Sequence, residues 1–290
     1  MSCPFFALDG VRLDYCYTPW QIVRSATGHM FRKSIVFARL LLVLFLAGGC
    51  LMLRSDTSPG LTGRRSMRSL PRTTLWVWER PEDLSRIDSQ TTAIAYLDQT
   101  IEVGSQVISA PRRQAMVFPA AAVRIAVVRI EVKPGTDLAG ADGQGMAEEA
   151  AQLVLKSAAQ PGISALQIDF DATRSQRGFY RRLLGSVRRG MRADIPLSMT
   201  ALASWCSGDD WIGSLPVDEA VPMFFRMEPD RGRAAANRPE FRIREPLCET
   251  SIGVSTREGW PDGMAGKRIY VFADRGWGAD MAVLAERRLP

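Results

Sequence analysis

Histidine is almost missing from these 290 residues. The single one, His29, falls in an N-terminal stretch read below as lying outside the folded module. A module without histidine excludes Ser-His-Asp and Cys-His nucleophilic catalysis, His-ligated zinc or iron, and imidazole acid–base chemistry. Cysteine is scarce, five in all, which excludes a small disulfide-framework protein. Glycine and proline, 24 and 17, are too few for a collagen-like or low-complexity chain. An excess of one charge is also lacking beyond residue 73. Residues 1–73 carry ten Lys/Arg against three acids, whereas 74–290 carry 27 basic and 28 acidic residues. The net +6 therefore belongs to the N-terminus, and the module lacks the electrostatic footprint of a nucleic-acid binder.

What is present begins with an export signal. Residues 35–53 read IVFARLLLVLFLAGGCLML, with an uncharged core from Leu40 to Leu53. That core is short for a spanning helix and suits a signal-peptide h-region. Met30, followed by Arg32 and Lys33, is the expected true start, which makes residues 1–29 an over-extended beginning. Residues 30–53 are then a signal peptide or an uncleaved anchor. Ala47-Gly48-Gly49-Cys50 is similar to a bacterial lipoprotein cleavage box, with Ala47 where leucine is usual, and implies lipidation of Cys50. Residues 54–73 are polar, basic and without apolar period, a tether leading to a domain over 74–290. The expected location is extracytoplasmic, in the periplasm or cell envelope, held to the membrane by the N-terminal segment. In that oxidising setting the module's two cysteines, Cys206 and Cys248, favour a disulfide over two buried thiols.

From Thr74 onward one rhythm recurs: short apolar runs, each closing on a polar residue. They occupy 74–79, 92–98, 123–132, 164–171, 196–204, 219–228, 250–256 and 268–274. Helical patterns lie between several, opening at Pro81-Glu82-Asp83 and covering 146–159 and 175–191. Eight strands alternating with helices predict an α/β (β/α)8 barrel, with an open doubly wound sheet as the alternative. Some helices are reduced: residues 101–110 (IEVGSQVISA) read as a hairpin.

A parallel barrel carries its site at the C-terminal ends of its strands. In Ile168-Asp169-Phe170-Asp171 the two carboxylates share one face of an otherwise apolar strand. Like charges in a partly dry pocket push one pKa upward, which makes a proton donor at neutral pH. Asp171 is the expected acid or base and Asp169 its electrostatic partner, with Glu79 or Glu228 as the opposing carboxylate. The alternative is that the pair caps the strand or pairs with Arg174 and Arg177. Trp78 and Trp205 can stack on sugar rings, while Asp98, Arg226 and Asp274 can bind hydroxyls; indoles on strands are also common core residues. No motif implies a cofactor, and a metal at Asp169 and Asp171 would be poor in ligands.

The strand-four segment resembles the acidic signature of chitinase-like glycoside hydrolases, Asp-x-x-Asp-x-Asp-x-Glu. Asp169 and Asp171 match its last two aspartates, but Leu166 replaces the first and Thr173 stands in the place of the catalytic glutamate. The family's substrate-assisted mechanism therefore does not carry over. The segments WVWER, ALQIDFDAT, LSMTALASWC, VDEAVPMFFRM and KRIYVFADRGWG resemble a bacterial domain family of unassigned function across residues 74–278. That resemblance implies an exported, often lipidated, glycosidase-like barrel. The expected function is a membrane-tethered glycoside hydrolase-like protein acting on a cell-wall or exported polysaccharide. The alternative is a non-catalytic glycan-binding or assembly protein on the same barrel, which the threonine at 173 favours.

Overall fold

A computed structural model describes residues 67–209, 211–225 and 242–287. The expected signal segment, Cys50, and the site candidates Arg226 and Glu228 lie outside the described residues. Along the chain the strands are β1 (Thr73–Val77), β2 (Glu82–Asp83), β3 (Thr92–Val103), β4 (Val107–Pro111), β5 (Met116–Val117) and β6 (Val123–Val132). They continue as β7 (Ile163–Asp169), β8 (Leu197–Leu202), β9 (Glu219–Met223), β10 (Ser251–Ser255) and β11 (Arg268–Phe272). Eight of them pair in parallel in the order β1-β11-β10-β9-β8-β7-β6-β3, and β1 pairs again with β3. The sheet is thereby closed. The chain forms an eight-stranded parallel α/β barrel, and each predicted strand run overlaps one barrel strand.

The helical layer is incomplete, as the sequence suggested. Helices α1 (Gly140–Ala158) and α2 (Arg177–Gly190) follow β6 and β7, a short α3 (Ala203–Ser207) follows β8, and α4 (Trp277–Glu286) follows β11. Ala147, Ala150, Ala151 and Val154 of α1, and Phe179, Tyr180, Leu183, Leu184 and Val187 of α2, are buried at helical spacing. The two helices touch closely at Gly190, where a Cβ would sit 2.5 Å from Leu155. The helix expected to open at Pro81 does not form. Glu82 and Asp83 instead make the two-residue strand β2, paired in parallel with β5. The Glu82 side chain accepts the Trp277 N–H at 2.9 Å, so that acid serves the start of α4 and not a helix of its own. The predicted hairpin is present as β3 against antiparallel β4.

Alternate strand residues turn inward, and the barrel axis is filled by Trp76, Ala95, Ile125, Val127, Ala165, Val221 and Tyr270. Below Trp76 the filling becomes polar. Trp76 Nε1 donates to Gln167 at 2.7 Å, Gln167 to Ser198 at 3.1 Å, and Ser198 to Glu219 at 3.2 Å. Tyr270 donates its hydroxyl to Glu219 at 2.8 Å, and Arg268 lies 3.4 Å from the same carboxylate. Arg268 also donates to the carbonyls of Met67, Leu70 and Pro71. Met67 and Leu70, both buried, thus seal the N-terminal end of the barrel. The opposite end stays open.

Candidate functional site

At the C-terminal mouth lies a cavity of about 350 Å³. Its floor and walls are aromatic and apolar, from Trp76, Trp78, Phe225 and Phe272 with Met223 and Leu202; Asp169, Asp171, Arg129, Thr200 and Ser204 supply polar groups. Each element contributes through strand alternation. Arg129, Asp169 and Thr200 are inward-facing residues near the ends of β6, β7 and β8, and Phe272 closes β11. Phe225 and Phe272 stack at 5.5 Å with an interplanar angle of 9°, and Trp78 meets Phe272 edge-on at 6.3 Å. A hydrophobic slot with a few convergent polar groups suits a small polyhydroxylated ring.

The two strand-four carboxylates both line this cavity, in unlike surroundings. Asp169 is 6% exposed, accepts the Thr200 hydroxyl at 2.8 Å and pairs with Arg129 at 3.1 Å. Burial pushes its pKa up; the Arg129 charge and the Thr200 hydrogen bond oppose the rise, and neighbouring Asp171 adds to it. Asp171 is exposed and has no hydrogen-bond partner among the described residues. Arg129 is itself bracketed, 2.8 Å from Glu131, with its guanidinium 5.5 Å from the Trp78 ring centroid. In place of the alternative pairing with Arg174 and Arg177, Asp169 pairs with Arg129, while Arg177 pairs with Asp209.

Of the remaining sequence candidates, Trp78 lines the cavity and four others do not. Glu79 is exposed and accepts the backbone N–H of Arg113 at 3.1 Å, so it fastens the segment after β4 to the end of β1 instead of facing the aspartates. Asp98 shares the outer side of β3 with Tyr96 and accepts two 2.9 Å bonds from Gln160, which the Tyr96 hydroxyl also meets; the β-bulge between Leu97 and Gln99 follows it and leaves Gln99 on that same side. Trp205 is core: it is 3% exposed and stacks edge-on against Trp211 at 4.9 Å. Asp274 stands beyond the end of β11, 3.9 Å from Arg257. Cys206 and Cys248 form the expected disulfide, with Cα atoms 5.9 Å apart. Thr173 caps the turn before α2, its N–H donating to Gln176 at 2.9 Å. Among the described residues no cluster of three or more His, Cys, Asp or Glu side chains gathers as a metal site.

Sequence reasoning missed Arg129, Thr200, Phe225 and Phe272. A signal for the first existed: in VRIAVVRIEV, alternation from the buried Ile125 and Val127 carries the inward face to Arg129.

The chain matches no protein-family model and no curated protein. The likeness to an exported bacterial family therefore rests on the quoted segments alone. A solved structure similar in part is the chitinase domain of the spore coat protein CotE from Clostridium difficile, 13% identical with a TM-score of 0.35. The match covers 52% of this chain and 49% of that one, so the chain spans about half the length of that neighbour.

Proposed function

We propose that the protein is an extracytoplasmic, membrane-tethered glycoside hydrolase-like protein that takes a polysaccharide residue into the barrel mouth. The observation that supports this is the joint opening of Asp169 and Asp171 into one aromatic-lined cavity in a module without histidine. Trp78 and the Phe225–Phe272 stack give flat apolar faces for a sugar ring, and the carboxylates accept its hydroxyls. In the catalytic reading Asp171, which meets solvent, passes a proton to the glycosidic oxygen as the bond breaks and water attacks the anomeric carbon. Asp169 holds the local negative charge in place, itself held by Arg129 and Thr200. With Glu79 turned to Arg113, Glu228 is the candidate left from the sequence for the carboxylate that activates the water.

A second reading has its own support. Thr173 occupies the acid's place in the chitinase-like signature and is engaged in a turn, which favours a non-catalytic glycan-binding protein on the same barrel. One set of variants separates the two. Asp171→Asn keeps shape and most hydrogen bonds but carries no transferable proton. In the enzyme it lowers turnover by about 10²–10⁴-fold with binding retained. Affinity and reducing-end release are measured together on oligosaccharides prepared from the host's envelope polysaccharides. Full activity in a folded Asp169→Asn/Asp171→Asn protein would exclude the catalytic reading. Glycan binding without release in the wild type would establish the binder.

A further inference from the structure

Two of the barrel strands are far longer than the barrel requires. β3 has 12 residues and β6 has 10, against five to seven in the other six. Beyond the bulge at Asp98 they continue side by side, joined by antiparallel β4, and rise past the cavity as a three-stranded wall. From Gln99 to Val103 the wall extends about 13 Å at ~3.3 Å per residue. One face of it packs away from the barrel axis, against α1: Ile101 and Val103 are fully buried, and Gln99 donates to Ser157 and to the Leu153 carbonyl of that helix. The other face belongs to the alternate residues. Its rows, fixed by the register, are Ala110–Thr100–Arg129 and Ile108–Glu102–Glu131. Among the described residues no element covers this face; Ile108 is 52% exposed and Glu131 is exposed.

The wall is continuous with the cavity, because Arg129 ends its first row and also lines the pocket. It is tied there as well. Arg112, just past β4, donates to the carbonyls of Trp78 and Arg80, and Glu79 accepts from Arg113. The arm and the Trp78 platform therefore hold one relative position.

We propose that this face is a binding shelf for the units of a linear, uncharged glycan chain adjoining the one held in the cavity. The proposal rests on the glycan reading above and extends it: the ligand is a polymer segment, not a single sugar. The charge pattern selects among polymers. Lys133 pairs with Glu102 at 2.7 Å and Arg129 with Glu131 at 2.8 Å, so the shelf is neutral. With Asp169 and Asp171 added, shelf and cavity hold two cations against four carboxylates. A uronic-acid or phosphate-bearing chain meets net repulsion there, whereas hydroxyls find carboxylate acceptors beside the apolar Ile108 and Ala110.

The test uses full-length protein in detergent and oligomers of one to six units. The probes are β-1,4-linked glucose, mannose and N-acetylglucosamine series, with size-fractionated fragments of the host's neutral and acidic envelope polysaccharides. Affinity for the ligand that binds should rise about tenfold or more from one unit to four, equivalent to ~1.4 kcal/mol. Thr100→Ala/Glu102→Ala should remove that increment and leave the one-unit affinity unchanged. Ala110→Lys, which obstructs the shelf without deleting an acceptor, should do the same. Equal affinity for one unit and four, or an increment that survives both variants, would overturn the shelf while leaving the cavity reading intact. Preference for acidic fragments would also overturn it. Absence of binding by every probe would overturn the cavity reading and the shelf with it.

Discussion

Arg129 and Asp169 meet at 3.1 Å across neighbouring strands, and the same guanidinium lies over the Trp78 ring. One side chain therefore fixes both the buried carboxylate and the aromatic platform. Arg129→Met should release both. Leaving a buried carboxylate unpaired costs about 3–5 kcal/mol in a fully desolvated site. Arg129 is about a third exposed, so solvent screening brings the expected loss to the lower part of that range. Adding Asp169→Asn to Arg129→Met should recover part of the lost stability, because the unpaired charge is gone. Urea denaturation of the wild type, both single variants and the double variant gives the coupling. Additive losses would mean that the two residues act independently.

Glu219 sets a pH dependence at the sealed end of the barrel. Burial raises its pKa above the usual 4.5, although Arg268, Tyr270 and Ser198 all counter the shift. A carboxyl with a raised folded-state pKa binds protons more readily in the native protein than in the unfolded chain. Its contribution to stability is therefore fullest below the unfolded value and declines as pH rises through the window up to the folded value. Asp169 has the same sign, whereas Asp280, held low by Thr256 and Arg275 against the effect of burial, has the opposite one. The informative quantity is thus a difference. The melting temperature of wild type minus that of Glu219→Gln should increase as pH falls from neutrality toward 4.5. A pH-independent difference would show that Glu219 does not titrate with a raised pKa.

The barrel was legible because its signal is local and repeated. Each strand run is apolar and closes on a polar residue, as in Ile163–Asp169, and the inner filling follows the period of two. The site was legible only where that period stayed intact, as at Asp169 and Asp171. Asp98 follows the same period on the outer side of β3, with Tyr96, so a carboxylate at the close of an apolar run need not face the mouth. Trp205 was misplaced because the chain turns into α3 at Ala203, burying the indole beside Trp211. Glu82 was read as a helix start because a proline followed by acids suits a first turn equally well. Its true partner, the Trp277 N–H, lies 195 residues away. Such long-range hydrogen bonds have no sequence signature.

The disulfide should matter through the chain it closes. Cys206 and Cys248 lie 42 residues apart, joining α3 to the turn before β10. Loop-closure entropy over that span is worth about 4 kcal/mol, less any native-state strain. A Cys206→Ala/Cys248→Ala protein should unfold at lower denaturant with a similar cavity. Calorimetry of the oxidised, reduced and double-alanine forms checks this. Equal stability of all three would show that the bridge does not constrain the unfolded chain.

Gly253 fixes the depth of the cavity. It faces Trp76 across the barrel, and a Cβ at this position would stand 3.0 and 3.1 Å from two carbons of the indole. The indole cannot withdraw downward, since Nε1 is committed to the buried Gln167 and the ring lies against Tyr270 at 5.3 Å. The remaining direction is toward the mouth, where Trp76 lines the cavity. Gly253→Ala should therefore cost about 1–3 kcal/mol as an overpacked core substitution and weaken glycan binding by raising the floor. The smaller ring of Trp76→Phe removes the clashing carbons, so Gly253→Ala/Trp76→Phe should be more stable than the two single losses together imply. Melting temperatures of the four proteins give that interaction, and affinity for the glycan found to bind the wild type gives the effect on the cavity. Strictly additive losses in stability would mean that Gly253 and Trp76 do not share the space, and unchanged affinity in Gly253→Ala would mean that the floor does not touch the ligand.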